Sequence, residues 1–342
     1  MLNTRTLFEL LSCHATPGDE AEVREVLERH WRAAGLRMAR LGDYAVMTAA
    51  PSRNRRQPVL LITAHMDAPG FSVDRLPVAG KRKGAAGLTR LGGAAFASSR
   101  VAGVLKTASG KVPVQIRKSR KAGGEFDYTC QPTAPASRLP ADLQHGDRVC
   151  FACEPAGSGN RIEAPFLDNR LGCWVLAELA PQIATWQSRY QIVLGATACE
   201  EMGGFGAPVL ARHVQPDLTI VLDATYEAPE QNVRLGKGPV LTLSDASVLL
   251  SPARRDQVQA LLAAARVPLQ TEVYNFSGTD ARAFPHQGLT GPVLPMLLAT
   301  TGNHSPRETA DLRDAAMLVN AIRALSVTDA GAQIMHSPAT QR

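Results

Sequence analysis

Three apolar runs of strand length constrain this chain most, because each leads straight into histidine or acid. Pro58-Val-Leu-Leu-Ile-Thr63 is followed by Ala64-His65-Met66-Asp67, Gln191-Ile-Val-Leu-Gly195 by Cys199-Glu200-Glu201, and Leu218-Thr-Ile-Val-Leu222 by Asp223. Unbroken apolar runs suit strands buried on both faces, as in parallel sheets covered by helices. In such sheets ligands bind beyond the carboxyl ends of the strands. Buried charges are costly unless paired or metal-bound, so acids at three strand ends imply a common site. Asp168, ahead of an apolar helix over Leu171 to Leu179, and His304, in Gly302-Asn303-His304-Ser305-Pro306, extend the set.

The rest of the chain fits an α/β fold, a mostly parallel sheet flanked by helices. Leu7, Leu10 and Leu11 share one helical face, Pro17-Gly18 breaks the chain, and Val23, Val26, Leu27 and Trp31 mark a second helix. Ser251-Pro252 has the pattern of an N-cap and first-turn proline, opening a helix to about Ala265. Leu269 to Tyr274 is expected as a strand, and Met317, Leu318, Ala321, Ile322 and Leu325 as a closing helix with a loose tail after Val327. Between about 75 and 160 short β-prone pieces (Val101–Val104, Val112–Ile116, Arg148–Ala152) alternate with glycine, serine, lysine and proline. The expected organisation is therefore a discontinuous catalytic domain, 1–75 and 160–342, with a small all-β domain inserted at 76–159.

At 342 residues, 45% hydrophobic and 20% charged, the chain can bury a large core without disulfides. No apolar run is long enough to span a bilayer, and the acidic N-terminus lacks the pattern of a signal peptide, so a cytoplasmic location is expected. The six cysteines suggest no disulfide framework, and Cys150-x-x-Cys153 lacks the second half of a zinc knuckle. The formal charge of +6 is concentrated in Lys81-Arg82-Lys83 and Arg117-Lys-Ser-Arg-Lys121. Those runs lack interleaved aromatics, so a solvated basic face is expected and no nucleic-acid partner.

Two histidines and several carboxylates at one sheet edge suit zinc, cobalt or manganese. Five ligands exceed what one catalytic zinc with an open position takes, and suit two ions sharing a bridging carboxylate. His65 and Asp67 have the same strand parity, so Asp67 can accept the other ring N–H of His65 and fix its tautomer. Glu200 and Glu201 are adjacent, so one can bind metal while the other takes a proton from water. Each residue alone has an ordinary explanation: a core histidine at 65, a turn at Asp223, an N-cap at Asp168, a surface pair at Glu200-Glu201. His336-Ser337-Pro338 repeats the triplet of His304, so that triplet is weak by itself; Glu308 and Asp311 follow His304 and favour it.

With these residues in place, the sequence resembles the M42 family of metallo-aminopeptidases, the glutamyl and tetrahedral aminopeptidase group. The resemblance rests on Ala64-His-Met-Asp67 with Gly70-Phe71, Leu167-Asp168-x-Arg170, Glu200-Glu-Met-Gly203 with Gly206-Ala207, Asp223, Gly236-Lys-Gly-Pro239, Gly278-Thr-Asp-Ala281 and His304-Ser-Pro306 with Glu308. It implies a zinc-peptidase-like catalytic domain in which His65, Asp168 and Asp223 hold one metal and Asp168, Glu201 and His304 the other. It makes Glu200 the catalytic base and Asp67 the partner of His65, with two divalent ions as cofactors, zinc foremost. It also implies a PDZ-like insert serving dimerisation, homo-oligomers built from dimers into a tetrahedral dodecamer, peptide substrates and no membrane partner. Ala68, Asn169 and Cys199 depart from the family pattern, which has acids at the first two positions and a polar amide at the third.

The activity implied is hydrolysis of the N-terminal peptide bond by metal-activated water. A metal-dependent deacylase, a carboxypeptidase or another peptidase would keep the metals and change the substrate. A glycosidase would need two carboxylates flanking a sugar bond rather than a metal pair. Cys199 as a thiol nucleophile, and a non-enzymatic assembly protein with a relict site, are the remaining alternatives; the complete ligand set argues against the last.

Overall fold

The computed structural model describes residues 2–52, 57–77, 84–121, 123–134 and 138–328, with Gly331 and Ile334. Lys81-Arg82-Lys83 and His336-Ser337-Pro338 lie outside the described residues. In chain order the strands are β1 (Met38–Leu41), β2 (Ala45–Ala49), β3 (Val59–His65), β4 (Gly70–Arg75), β5 (Ala86–Leu91), β6 (Arg100–Thr107), β7 (Gly110–Arg120), β8 (Phe126–Pro132), β9 (Arg148–Phe151), β10 (Ala156–Ser158), β11 (Arg161–Ala164), β12 (Gln191–Thr197), β13 (Leu218–Tyr226), β14 (Val240–Ser244), β15 (Gln270–Val273), β16 (Val293–Thr301) and β17 (Glu308–Asp311). The α-helices are α1 (Thr4–Leu11), α2 (Ala21–Ala33), α3 (Leu167–Ile183), α4 (Gly206–Val214), α5 (Pro252–Ala264), α6 (Ala283–His286) and α7 (Leu312–Val327).

Side chains that alternate along a strand build two cores on one sheet. Leu60, Ile62 and Ala64 of β3, Ile192, Leu194 and Ala196 of β12, and Ile220 and Leu222 of β13 point to the core shared with α1, α2, α3, α5 and α7. Leu61, Val193 and Val221 point the other way, into a smaller core under α4 and α6. Apolar residues on both faces explain why these runs carry no polar alternation. The helix from Ser251 forms as expected, with the Ser251 hydroxyl accepting from the Arg254 amide and Pro252 in the first turn.

The large sheet is mixed rather than mostly parallel. Its order is β1-β2-β12-β3-β13-β16-β17-β11-β10, with β14 pairing β16 and β15. Neighbours among β12, β3, β13 and β16 are parallel, as are β14 and β15; the other pairs are antiparallel. The short turns of β1–β2, β10–β11 and β16–β17 dictate this, since a parallel crossover needs a dozen residues or more. The parallel segment is the part that places the site. Thr197 pairs with His65 and Val221 with Thr63, so the ends of three adjacent strands come level. Asp223 lies inside β13 rather than beyond it, because pairing with β16 carries that strand on to Tyr226.

The second sheet closes on itself as a barrel, in the order β4-β5-β8-β7-β6-β9. Its first strand is Gly70–Arg75, upstream of the boundary expected at residue 76. Phe71, Phe96, Tyr128 and Phe151 fill it with tilted and edge-on contacts at 5.4–6.5 Å between centroids. The basic run on β7 is not bare. The Lys118 ammonium sits 4.9 Å from the Phe96 ring and 5.0 Å from that of Phe126, and Arg120 lies over Phe126 at 5.6 Å.

Arg170 ties the two units together. It is fully buried and donates to the carbonyls of Leu10, Ala15, Met66 and Asp67, with Phe166 of the barrel core 5.7 Å from its guanidinium. These bonds fix the chain just past β3, where His65 and Asp67 sit. Arg170→Met should leave those carbonyls unsatisfied and cost about 3 kcal/mol. The expected outcome in a thermal melt is a midpoint lowered by at least about 5 °C; an unchanged midpoint would show that the guanidinium holds nothing.

Candidate active site

Contacts between side chains and main chain hold most of the site residues. His65 closes β3. Its Nδ1 lies 3.1 Å from the Asp67 carbonyl oxygen and 3.5 Å from the Asp67 carboxylate, so the nearer acceptor is main chain. The fully buried Asp67 carboxylate is taken up by the amides of Glu200 and Glu201, at 3.0 and 3.1 Å, and so sets the loop after β12 against β3. With Nδ1 turned to Asp67, His65 Nε2 faces Asp223 Oδ1 at 3.2 Å and Asp168 Oδ1 at 3.3 Å.

Asp168 is not the helix cap. It and Asn169 have non-helical backbone angles, and Asn169 Oδ1 accepts from the Gly172 amide as an N-cap does. Asn169 Nδ2 also donates to the Leu222 carbonyl, bracing α3 against β13. Asp168 therefore keeps both carboxylate oxygens for the site, and Oδ2 lies 3.4 Å from His304 Nε2. His304, at φ 65°, is also 3.3 Å from Glu201 Oε1. Glu308 spans the two: its oxygens accept the amides of Asp168 and His304, each at 3.0 Å. The barrel approaches from the other side. A Cβ on Gly93 would lie 2.5 Å from His304 Nδ1, and one on Gly92 would lie 3.1 Å from the Glu201 side chain.

The arrangement fits metal ions. Ligand atoms of His65, Asp168 and Asp223 lie within 4.8 Å of one another, and so do those of Asp168, Glu201 and His304, with Asp168 common to both. His65, Glu200 and Glu201 form a third such group. Asp168 Oδ1 and Glu201 Oε1 are buried without a hydrogen-bonding partner among the described residues, although imidazoles stand 3.3 Å away. Donors facing a common point rather than each other are what a cation site presents.

The electrostatics agree. Burial pushes the Glu200 carboxyl well above its ordinary range, with Asp223, Asp280 and Glu201 adding to the shift against His65. Burial likewise raises Asp223 to about 7, opposed by His65. Burial alone would raise Asp168, but His304 and His65 on either side outweigh it and hold that carboxyl low. His304 is raised to about 12: burial opposes this, and Asp168 and Glu201 prevail. Acids this crowded resist ionising together unless a cation joins them.

A profile of the M42 glutamyl aminopeptidase family matches residues 136–320, more than half of the chain. The chain belongs to that family. It is a metal-dependent aminopeptidase. The glutamyl aminopeptidase of Lactococcus lactis subsp. cremoris is 26% identical over 303 residues, covering 80% of this chain and 81% of its own. Among solved structures, the TET aminopeptidase of Thaumarchaeota archaeon SCGC AB-539-E09 superposes with a TM-score of 0.85 at 21% identity, covering 97% of this chain and 99% of its own. The TET1 peptidase of Pyrococcus horikoshii, described as assembling into a tetrahedron or a large octahedral shell, gives 0.81 at 22% identity over 94% and 98%.

The three departures from the M42 pattern have structural uses. Ala68 is buried in the barrel core and its amide donates to the Ala15 carbonyl. Asn169 caps α3. The Cys199 thiol points at Glu20 and is pushed up to about 12 by burial and that carboxylate, which disfavours a thiolate nucleophile. Sequence reasoning gave no role to Gly92 or Gly93. The adjacent glycines were the one available signal for the close approach to His304. Glu308→Ala should strand two amides and loosen both Asp168 and His304. Metal affinity, measured by competition with a chelating dye, should fall by about 10–100-fold; unchanged affinity would separate Glu308 from the site.

Proposed function

We propose that this aminopeptidase holds two divalent ions, zinc foremost, one on His65, Asp168 and Asp223 and the other on Asp168, Glu201 and His304. The observation that carries this is the pair of donor groups sharing Asp168. Ions held there would acidify water and polarise a peptide carbonyl. The remaining chemistry belongs to side chains. Glu200, almost buried and raised in pKa by that burial, takes the proton of the attacking water and passes it to the leaving amine. Asp67 positions: it orients His65 and holds the amides of both glutamates. The substrates are peptides with a free N-terminus. A metal-dependent deacylase or other peptidase remains the alternative, because the same centre would serve another amide.

The barrel, expected over 76–159, serves as the dimerisation domain in this proposal, and dimers assemble into a tetrahedral dodecamer. Support comes from the P. horikoshii TET1 fold, whose own assembly is a tetrahedron or octahedral shell. The cytoplasm is the proposed location. All six cysteines are free, as a reducing compartment allows, and no described helix is long and apolar enough to cross a membrane.

Glu200→Gln tests the base. Metal content should stay unchanged while kcat on an amino-acid 4-nitroanilide falls by at least about 10²-fold. Loss of metal with activity would make Glu200 a ligand, as the third donor group allows, and full activity would remove it from the chemistry. N-acylated anilides should remain uncleaved; their hydrolysis would favour the deacylase.

A further inference from the structure

The cavity holding the donor groups continues past them. Its volume is about 130 Å³, and its wall runs from Asp168, Glu200, Glu201 and Asp223 to Asp245 and Glu272. Among the described residues two histidines line it and no lysine or arginine does. Two divalent ions held there would balance the four carboxylates of the centre. Of the two further acids on the wall, Glu272 has no cationic partner among the described residues, while Asp245 feels the charge of Arg282. The guanidinium of Arg282, 3.9 Å from Glu200 Oε1, does not line the cavity.

Glu272 is built in rather than left over. It lies on β15 and is 4% exposed. The hydroxyls of Thr225 and Thr242 donate to its two oxygens, each at 2.7 Å. Thr225 stands two residues beyond Asp223 on β13, so the two side chains share a strand face and Glu272 is braced from the same face as the donors. Asp245 Oδ1 accepts the amides of Ser247 and Val248, while no described residue donates to Oδ2. Tyr226 and Tyr274, edge to face at 6.0 Å, add flat walls suited to an alkyl stem that ends in a cation.

We propose that Glu272 and Asp245 form the end of the pocket for the first side chain of the peptide, and that the enzyme selects lysine or arginine there. The inference rests on the aminopeptidase reading of the same centre. A carboxylate side chain entering this end of the cavity would meet Glu272 and Asp245, with no lysine or arginine on the described lining, so an N-terminal glutamate is disfavoured despite the name of the family. A neutral side chain would bring no charge to balance the buried Glu272, which only hydroxyls partner. A lysine or arginine head group supplies the missing charge.

The test is steady-state kinetics of the metal-loaded enzyme on lysine, arginine, leucine and glutamate 4-nitroanilides, for wild type, Glu272→Gln and Asp245→Asn. Wild-type kcat/KM for the lysine and arginine substrates should exceed that for leucine by at least about tenfold, with glutamate lowest. The lysine-to-leucine ratio should fall by at least about tenfold in Glu272→Gln, mostly through KM. Asp245→Asn should lower it in the same direction, and this carries the test if the buried substitution fails to fold. A wild-type preference for leucine or glutamate overturns the proposal. So does an equal loss on every substrate in both variants, which would assign the two acids to the peptide amine or to packing. Failure of every substrate with a free amine would overturn the aminopeptidase reading, and this inference with it.

Discussion

Acidic side chains packed together out of water are the constraint on which the rest of this structure depends. Asp67, Asp168, Glu200, Glu201, Asp223, Asp280 and Glu308 all lie around one strand edge, most of them buried. The protein supplies some relief of its own: backbone amides for Asp67 and Glu308, the Thr197 hydroxyl for Asp280, two imidazoles for Asp168. The buried carboxylate oxygens left without a hydrogen bond among the described residues are not scattered. Asp168 Oδ1 and Glu201 Oε1 both face the donor groups, so the remaining charge is concentrated where cations would sit.

That concentration is a product of strand register. β3 lies between β12 and β13 in the parallel segment, which brings the chain after His65, the Glu200-Glu201 loop and Asp223 to one level. Two further residues arrive from outside the segment and need their own supports. Asp168 is placed by Asn169 capping α3 and by Glu308, and His304 by Glu308 and by the glycine surface of the barrel. The barrel is thus part of the site as well as a separate β unit, and Arg170 couples its core to the carbonyls beyond β3.

The α/β class, the inserted β unit and the grouping of acids at strand ends were legible because they rest on local signals. Val59 to Ile62 is apolar without interruption, and the His-x-Asp that follows stands out against it. The antiparallel flanks were less legible: β10, β11 and β17 are short, and their pairing is set by tertiary contact rather than composition. The cap at Asn169 was hidden because Asp168 beside it is an equally good capping residue. Glu272 was invisible as a site residue, since its neighbours Thr225 and Thr242 are distant in sequence and meet it only when β13, β14 and β15 come together. Glu308 was noticed next to His304, but its grip on the Asp168 amide, 140 residues away, could come only from the folded chain.

The account turns on Asp168 serving two metal ions at once. The direct measurement is metal stoichiometry by elemental analysis on purified wild type, His304→Ala and Asp168→Asn after equilibration with zinc. Two ions per chain in the wild type, about one in His304→Ala and a loss at both positions in Asp168→Asn would fit a shared carboxylate. A single ion in the wild type, or full retention by Asp168→Asn, would contradict it.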